Sequence, residues 1–305
     1  MGHTTNRQLT GGISLQVKQP ATHQQQIEYL RDKGLVIRNE KACIAFLNRV
    51  NYYRLLAYLE PFRGLPGHKA DGVAFERIMG VYEFDRDLRG FLFSVIEEVE
   101  LYLRNGISHY HAFRYGPLGY LQGGNFAPAH RHKTFLRLLD DVVEDNRTDA
   151  VILHHMKKYE GKFPIWVVIE YFSIGMLEYF YADLLENDKK QIAWDLYRVD
   201  ADVLEDRFHS LTELRNRCAH YARLYARRFE AVPPLPEHLK RVGYSPSDTL
   251  WDQLLSLKLL HDMVKAKHNF QSQFISLIKE YEDDIVLSHM GIPNNWEEVL
   301  NFCHL

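Results

Sequence analysis

The side chains best suited to chemistry lie in a hexapeptide, R-N-x-x-x-H, that the sequence contains at 104–109 and again at 215–220. An arginine five positions before a histidine is a weak signal alone, and a third such pair spans a Gly-Pro loop at 63–68. Only the first two pairs have asparagine directly after the arginine, and this repetition is the informative feature. The candidate catalytic residues are Arg104, Asn105, His109, Arg215, Asn216 and His220.

These three residue types suffice for RNA cleavage without a metal ion. A base takes the proton from a ribose 2′-hydroxyl, which attacks the adjacent phosphate, and an acid protonates the 5′-oxygen that leaves. Histidine serves in either role near neutral pH, and arginine holds phosphate through paired hydrogen bonds. Asparagine would orient the histidine or the phosphate. Because one histidine cannot be base and acid in the same step, we predict a composite site formed by two motifs.

The second copy is expected inside a helix predicted over 200–229. Asn216 and His220 would then lie one turn apart on one face, and Arg215 would reach the same opening. The opposite side would pack into the core through Leu211, Leu214, Cys218, Tyr221 and Tyr225.

Simpler interpretations exist for both copies. Arg215 can be a surface charge, and His220 can be a core histidine with satisfied hydrogen bonds. Arg104 can form an ordinary i, i+4 ion pair with Glu100, while His109 merely lies near a helix end. The sequence alone leaves these alternatives open.

The segment that follows the second copy is locally basic. Such a run is usually a solvated face, but beside the motif it equally indicates contacts with RNA phosphates. The candidate RNA-binding residues are Arg217, Arg223, Arg227 and Arg228.

Composition narrows the class of protein. A formal net charge of -3 argues against a general nucleic-acid coat, and three scattered cysteines fit a reducing compartment. We found no secretory signal and no apolar run near the roughly 18 residues that span a bilayer, so we predict a cytoplasmic protein without a membrane partner. Close histidine pairs at 109/111, 130/132 and 154/155 lack further ligands at suitable spacing, and no glycine-rich phosphate loop occurs, so we predict neither metal nor cofactor.

Periodicity predicts an all-α fold of helical bundles, with two halves packed together. A flexible tail covers 1–21, the halves cover 22–128 and 129–232, and a helical extension covers 233–305. Asn39 is a predicted helix cap, and a long helix is predicted over about 75–113. Further helices are predicted at 130–146, 148–160, 165–186, 188–197, 250–268, 270–281 and 296–302.

Several segments resemble the Abi-like family of AbiD/AbiF abortive-infection proteins, and R-N-x-x-x-H near a helix end resembles the signature of HEPN ribonucleases. The most specific segment is 214–225, which reads L-R-N-R-C-A-H-Y-A-R-L-Y. The other similar segments are 51–62, 82–89, 97–104 and 164–175.

The resemblance implies a helical HEPN fold and defence by RNA cleavage. Carried onto this chain, it implies Arg215 and His220 as the catalytic pair. Arg104 and His109 also match the motif, in a region whose sequence is less strictly kept within the family. It also implies a structured noncoding RNA as partner, acting as antitoxin or guide.

Three hypotheses follow. The chain is a metal-independent endoribonuclease toxin with both motif copies in one site, or it is a non-catalytic module that only holds RNA. In the third, a homodimer completes each 215–220 site from the partner chain, and 104–109 is structural.

Overall fold

The computed structural model describes residues 18–64, 68–265 and 269–304. Over these residues the fold is all-α, as predicted, with isolated β-bridges and no β-strand. Most of the predicted tail 1–21, the loop at 65–67 and the end of the helix predicted over 250–268 lie outside the described residues. The chain divides into two compact units, Met1–Glu76 and Arg77–Leu305.

The described residues of the first unit form three short α-helices, and a polar side chain caps each one. Thr22, Asn39 and Asn51 accept hydrogen bonds from backbone N–H groups of the first turn, which confirms the cap predicted at Asn39. Gly34 has φ +92°, and a Cβ there would lie under 3 Å from the backbone of Ala70. The helices are α1 (His23–Asp32), α2 (Glu40–Leu47) and α3 (Tyr52–Leu59), and a 3-10 turn follows at Glu60–Arg63.

The second unit contains the long helix α4, which runs unbroken for 41 residues, Phe75–Tyr115, and holds the first motif copy. The division between the units falls two residues into this helix. The α-helices that follow are α5 (His132–Asp145), α6 (Ala150–Lys158), α7 (Ile165–Val168), α8 (Ile174–Ala182), α9 (Glu186–Tyr197), α10 (Ala201–Ala219), α11 (Leu250–Val264), α12 (Phe270–Glu280) and α13 (Trp296–Phe302).

Helix α11 lies in the core of the second unit, since every residue from Leu250 to His261 is buried. Two of its polar side chains bond to neighbouring helices. Gln253 bonds to Ser210 of α10, and the imidazole of His261 lies 2.9 Å from a carboxylate oxygen of Glu98 on α4. The stretch predicted as an extension thus contributes to the same core as the two motif-bearing helices.

The single helix predicted over 165–186 is wrong. Helix α7 ends at Val168, a 3-10 turn follows at Ile169–Tyr171, and the hydroxyl of Ser173 then accepts from the N–H of Met176 to start α8. Serine competes with the helix for backbone groups, and its periodic apolar neighbours concealed that break.

The helix predicted over 200–229 is also too long, because α10 ends at Ala219. Beyond it the backbone N–H groups of Leu224 and Tyr225 donate to the buried carboxylate of Asp85 on α4 instead of to helical carbonyls. A contact 139 residues away in sequence therefore overrides a local helical pattern. The predicted halves and their boundaries stay predictions.

Candidate active site

The second motif copy lies at a helix end rather than inside a helix. His220 is the C-cap of α10. Tyr221 follows in the left-handed conformation with φ +56°, and the N–H of Ala222 donates to the carbonyl of Arg217 at 2.9 Å. Together with the bond from the N–H of Tyr221 to the carbonyl of Cys218, this is a Schellman motif. It ends the helix sharply and leaves His220 exposed.

A buried ion pair on α4 fixes the loop that follows. Asp85 is fully buried and pairs with Arg89 one turn along the helix. Its oxygen Oδ1 accepts from the N–H groups of Leu224 at 3.0 Å and Tyr225 at 2.7 Å, and Arg89 donates to the carbonyl of Ala222 at 3.2 Å. The loop after His220 is thereby tied to a rigid helix.

Arg215 lies one turn before the helix end and keeps 29% of its side chain exposed. Its Nε lies 3.8 Å from Oε2 of Glu100 on α4, and its guanidinium lies 5.9 Å from the ring centre of Phe93. A nitrogen of the same group donates to the side-chain oxygen of Asn216 at 3.4 Å. These contacts are long, so the guanidinium is placed but has donors left for an anion.

Arg104 also binds Glu100, but it is buried. It donates to Oε1 of Glu100 at 2.7 Å and to the backbone carbonyl of Phe172 at 2.9 Å. The arginines of the two motif copies therefore meet at the two oxygens of one carboxylate. The pairing of Arg104 with Glu100 was the simpler interpretation of the first copy, and the structure contains that pair.

His109 is exposed, and its ring packs on that of Phe113 at a centroid distance of 4.5 Å. It follows Glu100 by nine residues, which at about 100° per residue places it on the opposite face of α4. Asn105 is likewise exposed. The structure brings Arg104 and Arg215 together and directs His109 away from them.

Helix α9 explains why the first copy is packed so closely. A Cβ at Gly106 would lie 2.6 Å from the side chain of Leu196, so a larger residue there would require that leucine to move. Two positions after His109, His111 is fully buried among the rings of Tyr115, Phe126 and Phe180. Burial lowers the pKa of His111 to about 4, so it is neutral at physiological pH.

The four predicted RNA-binding arginines differ in their surroundings. Arg217 forms an ion pair with Glu213 at 2.6 Å and lies over the ring of Phe229. Arg228 is exposed and pairs with Asp248, and Arg227 is exposed, while Arg223 is half-buried. Their role in binding RNA stays a prediction.

The predicted core residues of this segment are mostly confirmed. Leu211, Leu214, Cys218 and Tyr225 are buried, whereas the prediction for Tyr221 is wrong, since 72% of its surface is exposed. The left-handed turn swings its ring outward. Burial raises the pKa of the Cys218 thiol to about 12, which does not favour a nucleophilic thiolate.

Sequence reasoning missed Asp85 and Arg89 as supports of the site. Their i, i+4 spacing was the available signal, but it also fits a surface pair, and only the fold shows that they are buried. Among the described residues no group of three or more His, Cys, Asp or Glu side chains could hold a metal ion. Nor does any helix in the described part of the chain combine the length and apolarity needed to cross a membrane.

Fold and site together define an all-α protein with a duplicated Arg-Asn-x-x-x-His motif whose arginines converge on one glutamate. The chain belongs to the Abi-like protein family, whose model matches residues 45–226. This match covers both motif copies and indicates a role in abortive infection. Comparisons with curated proteins and with solved structures gave no match.

Proposed function

We propose that the chain is a metal-independent endoribonuclease of an abortive-infection system, with Arg215, Asn216 and His220 as its reactive residues. The observation that carries this proposal is the contrast between a loosely held arginine and a firmly fixed backbone in one small region. Arg215 is held only by long contacts, and His220 is exposed at the C-cap of the same helix, just before a loop that Asp85 fixes. Such a site is preorganised and still open to a phosphate.

The chemistry follows from these groups. One histidine accepts the proton of the ribose 2′-hydroxyl, whose oxygen attacks the phosphorus. A second histidine gives a proton to the departing 5′-oxygen, so that the products are a 2′,3′-cyclic phosphate and a 5′-hydroxyl. The guanidinium of Arg215 stabilises the charge on the phosphate oxygens, and the side chain of Asn216 orients that guanidinium.

The second histidine has two candidate sources. In a site formed by one chain it is His109, and in a homodimer it is His220 of a second copy. The geometry favours the homodimer, because His109 lies on the face of α4 opposite to Glu100. In that arrangement Arg104 positions Glu100, and through it Arg215, without touching the substrate.

The test is cleavage of single-stranded RNA in EDTA by the purified protein and by His220→Ala. We expect cyclic-phosphate ends from the wild type and loss of cleavage in the variant. His209→Ala is the matched control, since His209 is an exposed histidine on the same helix that bonds to Glu178. Cleavage that requires a divalent metal ion, or an active His220→Ala, would contradict the proposal. RNA that is bound but left intact would favour the non-catalytic module.

Partners are part of the same proposal. The substrate is RNA in the cytoplasm, and a structured noncoding RNA restrains the toxin until infection. Sequencing the RNA that co-purifies with His220→Ala tests this, because a restraining RNA should be recovered as one defined species rather than as a sample of cellular RNA.

A further inference from the structure

A groove of about 570 Å³ opens on the second unit where α6 ends and α7 begins. It lies apart in sequence from both motif copies, and neither copy contributes to its lining. Aromatic rings and lysines dominate its walls. The lining residues used here are His155, Lys158, Tyr159, Lys162 and Trp166.

Two large rings of the groove are exposed to solvent. Trp166 keeps 51% of its surface exposed and Tyr159 keeps 44%. The turn between them has left-handed backbone at Glu160 and Gly161, and residues of α6 and α7 line the groove together. The ring of His155 packs beside that of Tyr159, at a centroid distance of 5.2 Å.

Positive charge surrounds these rings. The ammonium of Lys158 lies 5.3 Å from the ring centre of Tyr159. That of Lys162 lies 3.5 Å from Glu160, in a pair so exposed that water and salt weaken it. Glu160 is the one acidic residue among the lining residues.

We propose that this groove binds a single-stranded segment of RNA, with bases stacked on Trp166 and Tyr159 and phosphates near Lys158 and Lys162. The choice of RNA rests on the proposed function. A π-face with an adjacent cation suits an unpaired nucleotide, which offers a base and a phosphate within one residue's length. A duplex keeps its base faces stacked inside and cannot use the rings.

A short backbone segment also connects the groove to the candidate site. Trp166 is the second residue of α7, and the chain continues through α7 and the 3-10 turn to Phe172, whose carbonyl accepts from Arg104. Six residues of helix span about 10 Å. The groove is therefore about 10 Å of backbone away from the carbonyl that Arg104 binds.

The experiment measures binding in the His220→Ala background with EDTA, so that no cleavage interferes. The probe is a fluorescein-labelled single-stranded RNA of about 12 nucleotides, read by anisotropy, with the same sequence as a duplex for competition. Trp166→Ala should weaken binding about tenfold, the worth of one base–aromatic stack. Log affinity falls linearly with log salt concentration, and the double variant Lys158→Glu/Lys162→Glu should make that negative slope shallower by about 1.4.

Trp194→Ala is the matched control. Trp194 is 55% exposed, carries Arg198 over its ring, and lines a different depression together with acidic residues. The Trp194→Ala variant should bind RNA as tightly as the His220→Ala background does. Thermal melting should show that all the variants are folded, because the altered side chains are exposed.

Unchanged affinity in Trp166→Ala, an equal loss in Trp194→Ala, or a duplex that competes as well as the single strand would each overturn the groove proposal. The catalytic proposal fails separately. If His220→Ala cleaves RNA as the wild type does while Trp166→Ala loses binding, the groove stands and the assigned active site falls.

Discussion

The two copies of R-N-x-x-x-H share three residue types and a spacing, yet they occupy opposite kinds of environment. The copy at 104–109 lies within a 41-residue helix, with Arg104 buried and a neighbouring helix packed on Gly106. The copy at 215–220 lies at the end of α10, with Arg215 partly exposed and His220 at the cap. The arginine of the first copy is buried in packing contacts, whereas the arginine and histidine of the second are accessible to solvent.

Glu100 connects the two environments. Its two oxygens receive one arginine each, tightly from Arg104 and loosely from Arg215. A carboxylate already bonded to one cation attracts a second one less strongly, which leaves Arg215 more of its positive charge for a phosphate. The buried copy is thus linked to the exposed one through Glu100.

The largest difference should appear in catalysis by the two histidines. His220→Ala should lower the rate of RNA cleavage by at least about 100-fold, since it removes a general acid or base. His109→Ala should lower it by less than about tenfold, because that ring faces away from Glu100. Initial rates and the molar mass in solution should be measured together. Equal losses in a monomer would restore the single-chain site, whereas a dimer with an active His109→Ala supports the two-chain site.

For the arginines the first copy should show the larger effect, and the quantity affected is the free energy of unfolding. Arg104→Met should lower the free energy of unfolding by about 3–5 kcal/mol, because it breaks a buried pair and leaves the carbonyl of Phe172 without its donor. Arg215→Met should lower it by less than about 1 kcal/mol, since its contacts are long and partly solvated. Urea denaturation measures both. A similar loss in the two variants would remove the distinction between the copies.

Much of the helical fold could be predicted from the sequence, because apolar periodicity survives in α4 and in the helices from α9 onward. The end of α10 could not. The segment 220–229 has helical spacing, and only the buried carboxylate of Asp85, distant in sequence, diverts its N–H groups. For the site, the doubled motif identified the arginines. That one of them is buried depends on its contacts with Glu100 and with the distant carbonyl of Phe172, which spacing does not encode.

One histidine near the first copy has a strongly shifted pKa. His111 is buried with a pKa of about 4, below the ordinary value of 6.5. Between these values the unfolded chain binds the proton and the folded chain does not, so stability is complete above pH 6.5 and falls as the pH drops toward 4. The full effect is about 3 kcal/mol. In urea titrations across this range His111→Phe should flatten the dependence of the free energy of unfolding on pH. An unaltered slope in His111→Phe would assign the effect to other groups.

The smallest effect concerns the turn that exposes His220. Tyr221 adopts a left-handed conformation, with φ +56°, that costs a side-chain-bearing residue about 1 kcal/mol and glycine very little. Tyr221→Gly should therefore raise the melting temperature by about 2–4 °C in a unit of this size. Tyr221→Ala keeps the backbone cost while removing the same ring, so the difference between the two variants isolates the conformational contribution. Should alanine and glycine prove equally stable, the turn would have to relax in solution, and the position of His220 would no longer be fixed by the end of α10.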